Sequence, residues 1–215
     1  MICDDGAAKD LDVLEVLDKH GVKGVIAACP ELVGRPGFLS YEQLRQVQAA
    51  GHEIAFHGTT DTPLPTHGNA GQLLSALKAG LAQFAAQGLD APRTLVYPAG
   101  RNNVWVRAAA AELFDCAFTT WYGINRGLAN RYAIRRVPLG AFTPKQATES
   151  WYRDLIDQAA AGHCWPTLML HPGEDAHQRA HDALLSRLLD HARARNIPVR
   201  TAAAHVAAAG AGEAA

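Results

Sequence analysis

The sequence predicts an α/β domain built around a mostly parallel β-sheet. Short apolar runs suited to buried strands alternate along the chain with longer segments of helical apolar spacing. Glycine or proline stands at many of the junctions between them. The 215 residues contain neither an internal repeat nor a linker, and this length suffices for one sizeable core. We therefore expect one domain over residues 1–215.

The predicted helices combine an apolar stripe with recognisable ends. In the first helix, Leu14 and Leu17 belong to the stripe and Gly21 follows as a C-terminal stop. Ser40 begins the second helix, with Gln43 three residues later as a capping-box partner. The predicted helices span residues 7–20, 40–50, 72–87, 103–113, 148–161 and 175–195, followed by a short one from 202 that frays by 210.

The predicted strands are short and end at glycine, proline or a polar residue. One lies immediately before Asp4 and looks cut short, which suggests that residues upstream of Met1 are missing. His163 precedes a later strand, away from the carboxyl end of that strand. The other predicted strands span residues 22–29, 53–57, 94–97, 116–120, 134–139, 167–171 and 198–201.

Composition and charge exclude several classes of protein. The chain is 48% apolar and 19% charged with a formal net charge of −1, so it lacks the basic excess of a nucleic-acid-binding protein. No apolar run is long enough to span a bilayer and no signal peptide is seen, which predicts a cytoplasmic protein if Met1 is the true start. The four widely spaced cysteines indicate neither a disulfide framework nor a zinc knuckle.

Two adjacent carboxylates, Asp4 and Asp5, close the first strand and are followed by Gly6. Neighbouring side chains of a regular strand point to opposite faces, so both can reach one pocket only where the strand ends. Gly6 supplies the permissive backbone for that ending. Such a pair can offer one metal ligand and one base, whereas the alternative for these residues alone is a polar turn after an edge strand.

Several reactive groups share one topological position, the carboxyl end of a predicted strand. In parallel α/β folds this is the end at which active sites are built. The groups are Asp4-Asp5, His57, Tyr97-Pro98-Ala99-Gly100 and His171. A shared pocket is therefore predicted if the strands are parallel and close together.

A metal site is predicted from Asp5, His57 and Asp61, the last lying four residues after the histidine. One imidazole and two carboxylates suit zinc, and also harder ions such as Fe²⁺, Mn²⁺ or Co²⁺. Taken singly, His57 also fits a loop histidine bonded to backbone, and Asp61 a turn former. His171 shares a strand face with Met169 and fits a general acid beside a small hydrophobic slot, or a solvated strand end.

Five short segments carry a likeness to a known family. They are Cys3-Asp4-Asp5-Gly6, Gly51-His52-Glu53-Ile54-Ala55-Phe56-His57, Tyr97-Pro98-Ala99-Gly100, Arg135-Arg136-Val137-Pro138 and Leu168-Met169-Leu170-His171-Pro172. In this order and spacing they resemble the motifs of the polysaccharide deacetylase (NodB-homology) family, carbohydrate esterase family 4. The likeness runs from Asp4 to about Thr201, nearly the whole chain.

The resemblance implies a distorted (β/α)7 barrel, similar to a TIM barrel, that removes an N-acetyl group from an amino sugar with the help of a divalent metal. Asp5 and His57 would then be metal ligands, and zinc would be the first candidate ion. Asp4 would be the general base and His171 the general acid that protonates the leaving amine. Ala99 would offer its backbone N–H to the oxyanion.

The resemblance assigns two further roles. Arg136 is the candidate for the arginine that orients the base, and Met169 for the wall of the acetyl pocket. The chain departs from the family pattern at Asp61, where the second motif has histidine, and at Ala99, where the third has tyrosine. A second carboxylate on the metal would make the metal a weaker Lewis acid. His67, more distant along the chain, is a possible replacement for the missing family histidine.

The function indicated is metal-dependent N-deacetylation of a sugar or polysaccharide, with an N-acetylated sugar as partner and no nucleic acid. Two alternatives stay open: hydrolysis of another C–N bond, such as a cyclic amide, on the same fold, and a catalytically degenerate sugar-binding protein. The sequence leaves the oligomeric state and the identity of the sugar open.

Overall fold

Nine short strands are present in the computed structural model of the chain, which describes residues 1–162 and 164–213. His163 lies outside the described residues. The strands are β1 (Ile2–Cys3), β2 (Val25–Ala28), β3 (Glu53–Phe56), β4 (Thr94–Val96), β5 (Cys116–Tyr122), β6 (Asn125–Arg126), β7 (Ile134–Pro138), β8 (Cys164–Trp165) and β9 (Leu168–Leu170).

Seven of these strands form a closed parallel barrel in the order β1-β2-β3-β4-β5-β7-β9. The closing strand β9 pairs with β1, where Ile2 lies opposite Met169, and with β7, where Val137 lies opposite Leu168. The predicted (β/α)7 barrel is confirmed. Strands β6 and β8 form a separate antiparallel pair that the sequence pattern did not predict, because each has only two residues.

The helices surround the barrel, and most begin where a polar side chain caps them. Ser40 and Gln43 form the predicted capping box, and Asn69, Asn103 and Thr148 each accept a backbone N–H at an N-terminus. None of the described helices is long and apolar enough to cross a membrane. The helices are α1 (Asp10–Lys19), α2 (Tyr41–Ala49), α3 (Ala70–Ala86), α4 (Val104–Ala111), α5 (Glu149–Ala161), α6 (Gln178–Ala194) and α7 (Ala202–Glu213), with 3-10 turns at Leu64–His67 and Pro98–Gly100.

Alternation along the strands divides the core into two layers. Ile2, Val25 and Val96 belong to a cluster inside the barrel, whereas Cys3 and Leu170 belong to the larger cluster between the strands and the helices. Helix α7 packs its Ala202 and Val206 into the inner cluster. The Glu53 carboxylate accepts the N–H of Ala203 at 2.9 Å, close to the start of that helix. The C-terminal helix therefore covers one end of the barrel, and the other end is left for the site.

Two predictions near the C-terminus are wrong. Residues 198–201 form no strand, because β9 already pairs with both β1 and β7 and the closed barrel has no free edge. Helix α7 does not fray by Gly210 but continues to Glu213. The predicted start of α6 at Asp175 is also displaced, to Gln178, because the Asp175 carboxylate accepts the His177 N–H at 2.8 Å in a turn ahead of the helix.

Candidate active site

The buried ion pair between Asp4 and Arg136 is the central feature of the carboxyl end of the barrel. Both Arg136 terminal nitrogens donate to Asp4, at 2.6 and 2.8 Å, and its Nε donates to the Thr119 carbonyl at 2.7 Å. Arg136 is completely buried and Asp4 is 2% exposed. This bidentate geometry fixes both oxygens of the carboxylate and orients it rigidly. His171 Nε2 lies 3.4 Å from Asp4 Oδ2, so the three residues form one network.

The network keeps Asp4 ionised although it is buried. Burial alone would raise the pKa of this carboxyl, but the charges of Arg136, His57 and His171 and the Arg136 hydrogen bonds outweigh it and lower the pKa below its ordinary value. Asp4 is therefore a carboxylate at neutral pH and can accept a proton.

Asp5 faces a different partner because the strand ends at it. Its φ of 76° and that of Gly6, 73°, are in the left-handed region, so two consecutive residues turn the chain out of β1. A Cβ at Gly6 would lie 3.1 Å from the Ala28 Cβ, which leaves little room for another residue type. The turn brings Asp5 Oδ1 to 3.4 Å from His57 Nε2. The two aspartates thus reach the same end of the barrel with separate partners.

His57 is held so that one ring nitrogen faces the carboxylates. Its Nδ1 donates to the Val96 carbonyl at 2.8 Å, which leaves Nε2 directed at Asp5. The ligand atoms of Asp5, His57 and Asp61 all lie within 4.8 Å of one another, and no other such group of three occurs among the described residues. The predicted ligand residues are therefore brought together. His67 is not part of this group.

The loop after His57 returns Asp61 toward the histidine. Gly58 has φ 78°, and a Cβ there would lie 2.9 Å from Pro98 Cγ, so the chain makes a tight turn that suits glycine. The Thr59 hydroxyl donates to the Ala76 carbonyl at 3.0 Å and anchors the loop to α3. The Asp61 side chain stays exposed at the end of this anchored loop.

Burial and neighbouring charges oppose each other in their effect on the pKa of His57 but act together on the pKa of Asp61. Burial would lower the pKa of His57, but its hydrogen bond to Asp5 and the charges of Asp4 and Asp5 raise it. Partial burial and the charges of Asp5 and Asp4 raise the pKa of Asp61. Negative charge thus accumulates around His57 Nε2, which favours a positive charge at this position.

The turn at Ala99 lies between the His57 loop and the end of β5. Ala99 has φ 50° and ψ 18°, and the next N–H, of Gly100, donates to the Tyr97 carbonyl at 2.8 Å. The Ala99 N–H donates to no carbonyl in the hydrogen bonds of the described residues, and the residue is exposed. The turn packs so closely against Thr120 of β5 that a Cβ at Gly100 would overlap that residue. Among the described residues, the Ala99 N–H is thus left without a carbonyl acceptor on the turn next to the His57 loop.

His171 has an aromatic neighbour that the sequence pattern did not reveal. The Phe142 ring meets the His171 ring edge to face with centroids 4.8 Å apart, and Phe142 is 51% exposed. Phe142 lies in the loop after β7, where no periodic pattern marks it. A large aromatic residue in a loop that follows a barrel strand was the available signal. Met169 is buried and alternates along β9 with Leu168 and Leu170, which pack in the outer cluster.

Comparison with protein families supplies an independent finding. The sequence model of the polysaccharide deacetylase family matches residues 2–114. The chain belongs to this family. The matched part contains Asp4, Asp5, His57, Asp61 and Ala99, whereas the Arg136 and His171 assignments rest on the resemblance and on geometry. Comparison with curated protein sequences gives no match.

Solved structures of polysaccharide deacetylases and related esterases share the fold. A polysaccharide deacetylase from Bacillus cereus matches with a TM-score of 0.56 and 20% identity, covering 63% of this chain and 45% of its own. A family 4 carbohydrate esterase from Streptomyces lividans, in complex with acetate, matches with 0.60 and 16%, covering 88% and 85%. A family 4 acetyl xylan esterase from Clostridium thermocellum, in complex with a cobalt ion, matches with 0.65 and 15%, covering 93% and 85%. The chain thus spans less than half the length of the Bacillus cereus protein.

The Asp5, His57 and Asp61 group has the donor chemistry that a divalent cation needs. Because His57 Nδ1 donates to a carbonyl, Nε2 is the nitrogen that can bind a metal, and it faces the Asp5 carboxylate with only 3.4 Å between them. His57 is 2% exposed and has no other acceptor to bond through Nε2 among the described residues. One imidazole and two carboxylates with ligand atoms within 4.8 Å of one another fit a divalent metal ion.

Asp10, which the sequence pattern did not single out, lies buried in the first turn of α1. Neither carboxyl oxygen has a hydrogen-bond partner within normal distance among the described residues. Burial and the charges of Asp5 and Asp4 raise its pKa well above the ordinary value. Its surroundings therefore favour the protonated form of the carboxyl group.

Asp10→Asn should become more stable relative to the parent protein as pH rises. Above the ordinary aspartate pKa the unfolded chain ionises while folded Asp10 stays protonated, so the parent loses stability until its folded pKa is passed. The difference in free energy of unfolding should move in favour of Asp10→Asn by at least about 1 kcal/mol between about pH 4 and pH 8. Urea titrations at both pH values measure this, with exposed Asp12→Asn in the same turn as the matched control. An equal shift in both variants would refute the burial argument.

Proposed function

We propose that the chain is a divalent-metal-dependent hydrolase that removes acetyl groups from the nitrogen of an amino sugar or its polymer. One observation carries the proposal. Two adjacent aspartates have separate partners, Asp4 in a buried ion pair with Arg136 and Asp5 against His57, and His171 lies 3.4 Å from the first. This arrangement supports Asp4 as a base, Asp5 and His57 as metal ligands and His171 as an acid around one substrate position.

Asp5, His57 and Asp61 would hold the metal ion. When bound, a divalent cation polarises the carbonyl of the substrate and lowers the pKa of water, so that a weak base is sufficient at neutral pH. Zinc is the first candidate, and Fe²⁺, Mn²⁺ or Co²⁺ also suit these ligands. The cobalt ion in the Clostridium thermocellum esterase and the acetate in the Streptomyces lividans esterase support a divalent ion and acetyl chemistry.

Asp4 is the proposed general base. Arg136 keeps it ionised and holds both oxygens, but a carboxylate has about four acceptor positions, so Asp4 can still accept a proton from water. The lowered pKa makes Asp4 a weak base. This suits a reaction in which water has already been activated.

His171 is the proposed general acid. As water adds to the amide carbon, Asp4 takes one of its protons; the C–N bond then breaks, and the amine nitrogen leaves with a proton from His171. Acetate and a free amine are the products. The Phe142 ring packs perpendicular to the imidazole with centroids 4.8 Å apart, which helps to hold the histidine ring 3.4 Å from Asp4. The free Ala99 N–H is the proposed donor to the developing oxyanion.

The test measures metal content and acetate release on the same purified protein. We expect bound divalent metal by elemental analysis, acetate release from N-acetylated amino sugars and their oligomers, loss of release with a chelator and recovery with added metal. His171→Asn, prepared in parallel, should lower acetate release and so excludes a contaminating enzyme.

One outcome would contradict the proposal, and two further measurements would then decide between the alternatives. Metal-replete protein that releases no acetate from any N-acetylated sugar would overturn it. Hydrolysis of a cyclic amide by that protein would then favour the other C–N hydrolase, and sugar binding without turnover would favour the degenerate binding protein.

A further inference from the structure

We propose that Asp61 sets the metal selectivity of the site by supplying a second carboxylate, which narrows the preference for Zn²⁺ over Mn²⁺. The inference rests on the proposed function, because it concerns the same Asp5, His57 and Asp61 group. Beyond that function, the inference specifies which metal ions the site prefers and names Asp61 as the residue that sets this preference.

The group is a built site and not a chance cluster of surface acids. His57 is 2% exposed, its Nδ1 is committed to the Val96 carbonyl at 2.8 Å, and its Nε2 is aimed at Asp5. The backbone of Asp5 is in the left-handed region, so its side chain leaves the strand toward the histidine. Two of the three donors are therefore fixed by the barrel itself.

Asp61 is the donor that the fold leaves free to vary. It is exposed, and it lies at the end of a loop that Thr59 anchors to α3 through the Ala76 carbonyl. The tight turn at Gly58 sets where the loop returns. A different side chain at position 61 can therefore be introduced without opening the core, and it will face the same pair of donors.

The types of ligand atom in a site determine how much its affinity for one metal ion exceeds its affinity for another. Zn²⁺ binds nitrogen and oxygen sites more tightly than Mn²⁺ in general, and imidazole suits zinc whereas carboxylates suit manganese. With one imidazole and two carboxylates, the affinity difference between the two ions should be smaller than it would be with a second imidazole in place of Asp61. A histidine at position 61 would add an imidazole and remove one negative charge. Mn²⁺, which depends on hard charged oxygens, should lose more affinity than Zn²⁺.

The test is a competition titration of metal-free protein with Mn²⁺ and with Zn²⁺ at one fixed pH, against a chelator of known affinity. We expect the ratio of the Mn²⁺ to the Zn²⁺ dissociation constant to rise by about tenfold or more in Asp61→His. Asp61→Asn keeps an oxygen but loses the charge, so it should weaken both ions and change the ratio less. Asp90→His is the matched control, since Asp90 is exposed before β4 at the opposite end of the barrel.

The outcomes separate this inference from the function on which it rests. A wild-type protein that binds both ions, with the same ratio in Asp61→His, would overturn the role of Asp61 while metal-dependent acetate release stands. An equal rise in Asp90→His would overturn it too, because any added histidine would then suffice. Failure of the wild-type protein to bind either ion would overturn the proposed function.

Discussion

Arg136→Met is expected to lower the free energy of unfolding by about 3–5 kcal/mol at neutral pH. The substitution leaves the Asp4 carboxylate, 2% exposed, without the two hydrogen bonds and the charge that compensate its burial. The Thr119 carbonyl also loses its donor. Urea unfolding followed by circular dichroism measures the change.

The pH dependence of this loss identifies its cause. In the parent protein the pKa of Asp4 is lowered, so its stabilising contribution is present above the ordinary aspartate pKa and is lost as pH falls through the folded value. Without Arg136, burial dominates and the pKa of Asp4 should rise. Arg136→Met should then recover part of its stability as pH falls and Asp4 takes up a proton.

Arg135→Met is the control for this prediction. Arg135 is the exposed neighbour on the same strand, and among the described residues its side chain donates only to the Tyr122 carbonyl, at 3.0 Å. We expect a change within about 1 kcal/mol for it. Equal losses in the two variants, or a loss in Arg136→Met that does not depend on pH, would mean that the buried pair does not carry this stability.

Asp4→Asn is expected to lower the turnover number for acetate release by about 10²–10⁴-fold. The amide keeps the shape of the carboxyl group and one oxygen for Arg136, but it cannot take a proton from water. Bound metal should remain, since Asp4 is not part of the Asp5, His57 and Asp61 group. Initial rates at saturating N-acetylated sugar measure the loss.

The single variant Asp4→Asn leaves Arg136 buried without a full counter-charge, so its folding must be measured as well. The double variant with Arg136→Met removes both charges of the pair and provides a second protein for the same assays. Turnover near the parental value in either folded variant would exclude Asp4 as the base.

Much of the fold could be predicted from local sequence signals because those signals act over a few residues. The capping box at Ser40 and Gln43 is one such signal, and the structure contains it as predicted. The strand predicted at 198–201 failed because its fate depended on barrel closure by β9, which is a property of the whole sheet. No local pattern reports that an apolar run has no strand edge left to pair with.

In the candidate site, too, the features set by neighbouring residues could be predicted, whereas those set by tertiary packing could not. The sequence predicts that Asp4 and Asp5 end a strand, and the left-handed φ of Asp5 is the physical form of that ending. The bidentate pairing of Asp4 with Arg136 joins residues 132 positions apart, so it required the resemblance and not the spacing. The buried, unpartnered Asp10 carboxyl could not be predicted from the sequence, because its burial depends on tertiary packing.

The most direct test of the account is the metal content of Asp4→Asn and Asp5→Asn, measured side by side by elemental analysis after the same metal loading. We expect Asp4→Asn to bind metal like the parent protein and to lose turnover, whereas Asp5→Asn should lose the metal. Loss of the metal in Asp4→Asn with retention in Asp5→Asn would contradict the division of roles between the two aspartates.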